Sequence, residues 1–250
     1  MNDKVSVITP CYNSDSFIAE AIDSVINQTY SNWEMLIVDD CSNDNSAAVI
    51  ASYREQDDRI KYFKTDAPSG SPSLPRNIAT ENASGQYIAF LDSDDTWFPT
   101  KLEKQVKLLK NNDTAIAFSS YEKISEDGRR SNRIVKAPAA TSYKKLLRGN
   151  VICLSSAAYD SEKVGKQYFQ KIGHEDYVFW LAILKKGFIA RNTKSVETLY
   201  RICESSISSN KLKTMAWQWN IYKNIEKIGF FGRLYNFTCY AFKALLKSLK

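Results

Sequence analysis

The 250-residue chain holds a single histidine, His174, so a common transition-metal site built on imidazoles has no second ring to draw on. Its five cysteines, Cys11, Cys41, Cys153, Cys203 and Cys239, lie far apart without CxxC spacing. That indicates neither a zinc site nor a disulfide framework and fits a reducing cytoplasm. No GxGxxG follows the first apolar run, which disfavours a dinucleotide-binding version of an α/β fold. The opening "MNDKVSVITP" enters a strand at once, leaving no room for the basic and apolar regions of a signal peptide. No apolar stretch is long enough to span a bilayer, and neither an internal repeat nor a low-complexity linker marks a second domain. Acidic residues are missing from Lys227 onward, where Lys227, Arg233, Lys243, Lys247 and Lys250 carry five of the net +6 charges. The rest of the chain is nearly neutral, which argues against a nucleic-acid-binding surface.

What remains is an ordinary globular composition, 44% hydrophobic and 25% charged, sized for one main core. The first half alternates strand with helix. "KVSVITP", "WEMLIVDD", "RIKYFK" and "QYIAFLD" read as strands, and "DSFIAEAIDSVINQ", "NSAAVIASYREQ" and "LPRNIATENA" as the helices between them. This order predicts an α/β protein with a mostly parallel, doubly wound sheet flanked by helices. Beyond it come a helix from about Pro99 to Lys110, a strand "TAIAFSSYEKI", a short helix "SYKKLLRG" and a strand "VICLSSAAYD". A strongly apolar helix, "HEDYVFWLAILKKG", ends at Gly187, and two short strands and helices finish the chain.

The fourth strand runs straight into Asp92, Asp94 and Asp95. Ligands of such sheets bind beyond the carboxyl ends of the strands, and acids this close repel unless a cation holds them, a hard divalent ion with oxygen ligands being the simplest. Asp95 or Thr96 as an ordinary turn or helix cap is the competing reading, and the stretch alone leaves both open. The first strand ends in "TPCYNS" and the second in "VDDCS". Tyr12, Asn13, Asp39 and Asp40, gathered with the Asp cluster on one sheet edge, would offer an aromatic face, carboxylates for a base or ribose, and ligands for a diphosphate-bound metal.

The segments "VSVITPCYN", "QTYSNWEMLIVDDCS", "PRNIATENASGQYIAFLDSDDTWFPTKLEKQ" and "HEDYVFWLAILKKG" followed by "YRICESSISSNK" resemble the inverting family-two glycosyltransferases of the GT-A fold. The likeness covers roughly residues 4 to 220 and is strongest to bacterial teichuronic-acid, O-antigen and capsule polysaccharide transferases. It implies a UDP-sugar donor, a lipid-diphosphate-linked saccharide acceptor and Mn²⁺ or Mg²⁺. By the same resemblance Pro10, Tyr12, Asn13 and Asp40, with Asp39 beside them, line the uracil and ribose pocket, while Arg76 and Asn77 close over the nucleotide. Asp92 and Asp94 form the DxD that meets ribose, diphosphate and metal, and Asp176, the second acid of the "ED" pair with Glu175, is the general base. Relatives carry a glycine pair before the "ARN" motif, whereas this chain has "SGSPSLPRN", with Pro72 and Pro75. Arg201 is a candidate diphosphate contact, since guanidinium binds phosphate bidentately.

The resemblance divides the chain into a glycosyltransferase domain over 1–226, with a nucleotide-sugar half to 97 and an acceptor half from 98, and a basic amphipathic helix over 227–250. In that helix Arg233, Asn236, Tyr240, Lys243, Lys247 and Lys250 share one face, with Phe231, Leu234, Phe237, Phe242, Leu245 and Leu249 largely on the rest. Such a helix suits an anionic membrane surface, here the inner face of the cytoplasmic membrane, and competes with packing on the core or in a homo-oligomer interface. Two other readings of the whole remain: a haloacid-dehalogenase-type phosphatase using Asp92 of "DSDDT" as nucleophile, and a non-catalytic sugar-nucleotide-binding protein. His174 is expected to orient or pack, and Trp217 and Trp219 to pack a helix.

Overall fold

The computed structural model describes residues 3–202 and 211–248, without the side chains of 211, 212 and 244–248. Cys203, the "ESSISS" stretch of the last family-like segment, and the side chains of Leu245, Lys247, Leu249 and Lys250 lie outside the described residues.

Four apolar runs become parallel strands: β1 (Val5–Cys11), β2 (Trp33–Asp39), β3 (Ile60–Lys64) and β4 (Tyr87–Phe90). They pair in the order β3-β2-β1-β4. Crossover helices α1 (Ile18–Ile26), α2 (Ser46–Arg54) and α3 (Ser73–Asn82) connect them. β2 is buried at every position, as a strand covered on both faces must be. Beyond β4 the sheet continues through β9 (Ala157–Asp160), which pairs antiparallel with β4 and with β6 (Thr114–Ile124). The 13-residue β10 (Ile189–Arg201) lies parallel to β6, and the two-residue β5 (Thr96–Trp97) closes the far edge against it. β7 (Arg130–Val135) and β8 (Ala140–Thr141) add short antiparallel pairs off this path. The sheet is thus parallel from β3 to β4 and mixed after it.

Alternate side chains feed two cores. Val5, Val7 and Met35 face α1 and α4 (Lys101–Leu109), whereas Ile8, Leu36 and Phe90 face α3 and α7 (Glu175–Leu184). On the second side Phe90, Phe169, Phe179 and Trp180 form an aromatic cluster, with Phe169 and Phe179 stacked at 4.2 Å. Short helices α5 (Tyr143–Leu146) and α6 (Ser161–Val164) precede α7. After β10 come α8 (Lys211–Asn220), one π-helical turn over Ile221–Ile225, and α9 (Phe230–Ser248).

Two expectations change, and α9 gains an orientation. "VICLSSAAYD" is strand only over Ala157–Asp160, because Leu154–Ser156 turns as a 3₁₀ helix. A single long, bulged β10 replaces two short strands. In α9, Asn236 is buried, Arg233 lies over Trp219 at 5.7 Å and Phe237 packs on the core, while Phe231, Leu234, Tyr235, Phe242 and Lys243 are exposed. The packing roles expected for the tryptophans hold. Trp219 meets Phe237 edge to face at 5.2 Å, and a Cβ at Gly173 would lie 2.0 Å from the Trp217 ring.

Candidate active site

The carboxyl ends of β1, β2 and β4 meet at one edge of the sheet, the position topology dictates for a ligand. Pro10 is partly buried on β1, Tyr12 just beyond it is exposed, and Asn13 takes φ 47°. The Asn13 N–H donates to Ser42 Oγ at 2.9 Å, and its side-chain oxygen accepts from the Asn43 N–H at 3.0 Å, tying the loop after β1 to the loop after β2. Asp39 and Asp40 are buried beneath these loops. Asp39 accepts from the Ser42 N–H (2.9 Å) and Tyr62 hydroxyl (2.9 Å); Asp40 accepts from Thr65 Oγ1 (2.9 Å), the Ser69 N–H (2.9 Å) and Ser69 Oγ (2.7 Å). Both acids therefore stitch loops in this state.

The Asp cluster is split by environment. Asp92 accepts from Arg76 at 2.6 Å, and its backbone N–H donates to Ser155 Oγ at 3.2 Å. Asp94 is pushed up to about 6 by burial and by the Asp92 charge. Asp95 is fully buried, its Oδ1 accepting from the Arg201 N–H at 2.8 Å while Oδ2 has no partner. Burial, then Asp94 and Asp92, hold its carboxyl well above the usual range. It caps no helix: α4 begins after Thr100 without a side-chain cap.

Arg201 is turned inward. Its guanidinium donates to the Asp94 carbonyl (2.8 Å), the Glu126 carbonyl (2.8 Å) and Glu20 (2.6 Å). These bonds hold the acidic loop in place and leave a diphosphate-contact role unsupported in this state. Asn77 is likewise engaged, its amide bonded at both ends to the Phe169 backbone at 2.9 and 2.7 Å.

Arg76 joins the acidic loop to α7. Buried over the Phe169 ring at 5.2 Å, it donates to Asp92 and, at 3.1 Å, to Glu175. Burial disfavours its charge, but Asp92 and Glu175 outweigh that and raise its pKa. Next to Glu175, at the start of α7, Asp176 is pushed up to about 7 by burial and by the Glu175 charge. The Asn150 amide donates to its Oδ2 at 2.8 Å. His174 precedes the helix at φ 59°, provides no side-chain cap, and sets Nε2 against the Thr214 carbonyl at 3.2 Å.

Among the described residues, no three His, Cys, Asp or Glu side chains are grouped to hold a metal by themselves. Asp92 and Asp94 still suit a hard divalent cation. Their oxygens are the right donor type, and the repulsion that raises Asp94 is what a cation between them would relieve.

The family model for glycosyl transferase family 2 matches residues 6–173. TuaG of Bacillus subtilis (strain 168), a glycosyltransferase assigned to teichuronic acid biosynthesis, is 37% identical over 98% of this chain and 97% of its own. WfgD of Escherichia coli, named as a UDP-Glc:alpha-D-GlcNAc-diphosphoundecaprenol beta-1,3-glucosyltransferase, is 38% identical over 87% of this chain and 84% of its own. Among solved structures, S. aureus TarS 1-349 in complex with UDP-GlcNAc superposes with a TM-score of 0.70 at 21% identity, covering 88% of this chain and 67% of that one. The chain belongs to glycosyl transferase family 2 and has the GT-A fold.

Proposed function

We propose that this protein is an inverting glycosyltransferase that moves a sugar from a UDP-sugar to a lipid-diphosphate-linked saccharide in bacterial surface polysaccharide synthesis. One observation carries the mechanism: Arg76 bridges Asp92 and Glu175, bringing the acidic loop beside an Asp176 whose carboxyl titrates near neutrality. A single displacement needs a base for the acceptor hydroxyl and a sink for the departing diphosphate; the bridge ends at Glu175, the neighbour of the base Asp176, and at Asp92, a ligand for the cation that would serve as the sink. Asp176 takes the acceptor proton as the hydroxyl attacks the anomeric carbon, a task suited to a pKa near working pH. Tyr12 and the loops stitched by Asp39 and Asp40 cradle the nucleoside.

Asp94, with Asp92, would hold a Mn²⁺ or Mg²⁺ ion, which when bound offsets the charge developing on the diphosphate. Arg201 acts from behind, fixing the Asp94 backbone, so its contribution is to loop position. The lipid-linked acceptor is supported by WfgD, whose name gives a GlcNAc-diphosphoundecaprenol acceptor. It accords with the exposed Phe231, Leu234, Tyr235 and Phe242 of α9, a stripe suited to the membrane interface, as no helix among the described residues is long and apolar enough to cross a bilayer.

The test is to incubate purified protein with UDP-sugars and a GlcNAc-diphospholipid acceptor, with and without EDTA, and to determine product linkage. Transfer that is lost in EDTA, returns with Mn²⁺ and converts an α-linked donor into a β-linked product is expected. An α-linked product, or full activity in chelator, would overturn the displacement or the metal role respectively. A phosphatase using Asp92 would instead release inorganic phosphate without acceptor.

A further inference from the structure

From the end of α5 towards the 3₁₀ turn the chain bends through Leu146, Leu147, Arg148, Gly149 and Asn150, and the bend is held at several points. The Leu146 carbonyl accepts from the Tyr177 hydroxyl at 3.2 Å, one residue along α7 from Asp176. The Leu147 carbonyl accepts from the Tyr222 hydroxyl, which the π-helical turn presents. Gly149 takes φ +124°, where a Cβ would stand 3.7 Å from Tyr240 of α9, and the Arg148 guanidinium lies over Tyr235 of α9 at 5.4 Å. The bend ends in Asn150, whose Oδ1 accepts from the Ile152 N–H at 3.0 Å. With its oxygen so engaged, only its amide nitrogen can face Asp176, and it donates to Oδ2 at 2.8 Å.

We propose that Asn150 is a positioning residue for glycosyl transfer, holding one oxygen of the Asp176 carboxylate so that the other is presented to the acceptor hydroxyl. This rests on the reading of Asp176 as the base. The groups that face Asp176 are Glu175 on its own helix, Arg76 from α3, Asp92 from the acidic loop and the Cys153 thiol from the segment after Asn150. The Arg76 terminal nitrogens are already directed to Glu175 and Asp92. Asn150 therefore supplies the neutral donor that favours the carboxylate over the carboxylic acid without adding a charge to a crowded site. Because α9 and the π-helical turn brace the bend, the exposed aromatic helix and the base are parts of one packed unit.

The experiment compares wild type, Asn150→Ala, Asn150→Asp and Asp176→Asn in the full chain, measuring kcat and acceptor KM from pH 5.5 to 9.5 and UDP binding by calorimetry. Asn150 is exposed, so the variants are expected to fold. For Asn150→Ala the acid limb of kcat/KM should move up by about one unit, a loss of about fivefold at pH 7 that largely recovers at pH 9, with UDP affinity unchanged. Asn150→Asp, which replaces a donor by a like charge, should move the limb further in the same direction. A uniform loss across the pH range with an unmoved limb would overturn the positioning role while leaving the base in place. Near-normal turnover by Asp176→Asn would instead overturn the base reading and, with it, this proposal.

Discussion

Asp176→Asn should make the resting protein more stable above neutral pH. The Asp176 carboxyl rises from 3.8 to about 7 on folding, burial first and the Glu175 charge second. Between those values the folded state binds a proton that the unfolded chain does not, so stability falls as pH rises through the window and the full penalty is present above pH 7. Three units would correspond to about 4 kcal/mol. Partial exposure of the side chain and the Asn150 hydrogen bond reduce the realised penalty, to about 1 to 3 kcal/mol. Asn is nearly isosteric, cannot ionise, and removes that cost. Urea unfolding of both proteins at pH 8 and pH 5 gives the comparison: the variant should be more stable at pH 8, with a smaller difference at pH 5. Equal stability at both pH values, or a variant less stable at pH 8, would refute the claim that the fold holds this carboxylate at a cost.

Two further perturbations test the frame around the site. Arg76→Met leaves Asp92 and Glu175, whose side chains are 29% and 24% exposed, without their cation, and should cost about 2 to 4 kcal/mol in urea unfolding. Arg76→Lys should recover only part of this, because an ammonium lacks the fork that reaches both acids; full recovery would mean that charge alone matters. Glu34→Gln removes a buried carboxylate that accepts from Lys61 (2.6 Å), Lys4 (3.0 Å), Ser6 (2.7 Å) and the Ser84 N–H (2.8 Å). Burial would raise its pKa, yet the bonds from Lys61, Ser6 and Ser84 hold it well below the usual range. Its stabilisation is therefore complete above the unfolded pKa and fades as pH falls through the folded one. The variant should lose about 2 to 3 kcal/mol at pH 7, with the gap narrowing below about pH 4, and a gap constant with pH would contradict the assignment.

The parallel half of the fold is readable because β1, β2 and β4 are buried and mostly apolar between amphipathic helices, while β3, at the sheet edge, keeps enough apolar residues among Lys61 and Lys64 to show as a strand. β7 carries no such signal: it is the exposed edge stretch Arg130–Val135. β9 is only four residues, preceded by a 3₁₀ turn that shares its apolar composition. In the site, carboxylates clustered at strand ends stood out, but their division of labour did not. Asp95 is a buried acceptor for the Arg201 backbone, a contact across 106 residues that no local pattern encodes. Arg201 has the composition of a phosphate ligand and the position of an internal brace. Lys101 reads as a surface residue of a charged helix, yet it is buried over the Trp97 ring at 3.6 Å with its ammonium held well below its ordinary pKa by burial. Asn150 left no trace, since its importance lies in which carboxylate the bend brings within 2.8 Å. In α9 the inward-facing set mixes Phe237, edge to face on Trp219, with Arg233 and the buried Asn236, whose amide is satisfied by the Gly232 carbonyl, and a helical wheel alone does not show which side meets the core.

The most direct measurement is the turnover of Asp176→Asn with saturating UDP-sugar and acceptor, alongside its affinity for UDP. A loss of roughly a hundredfold or more in kcat with UDP affinity unchanged is expected, because the substitution keeps the shape of the side chain and removes only its capacity to take a proton. Turnover within a few-fold of wild type, or a larger loss in Glu175→Gln than in Asp176→Asn, would contradict the reading of Asp176 as the base.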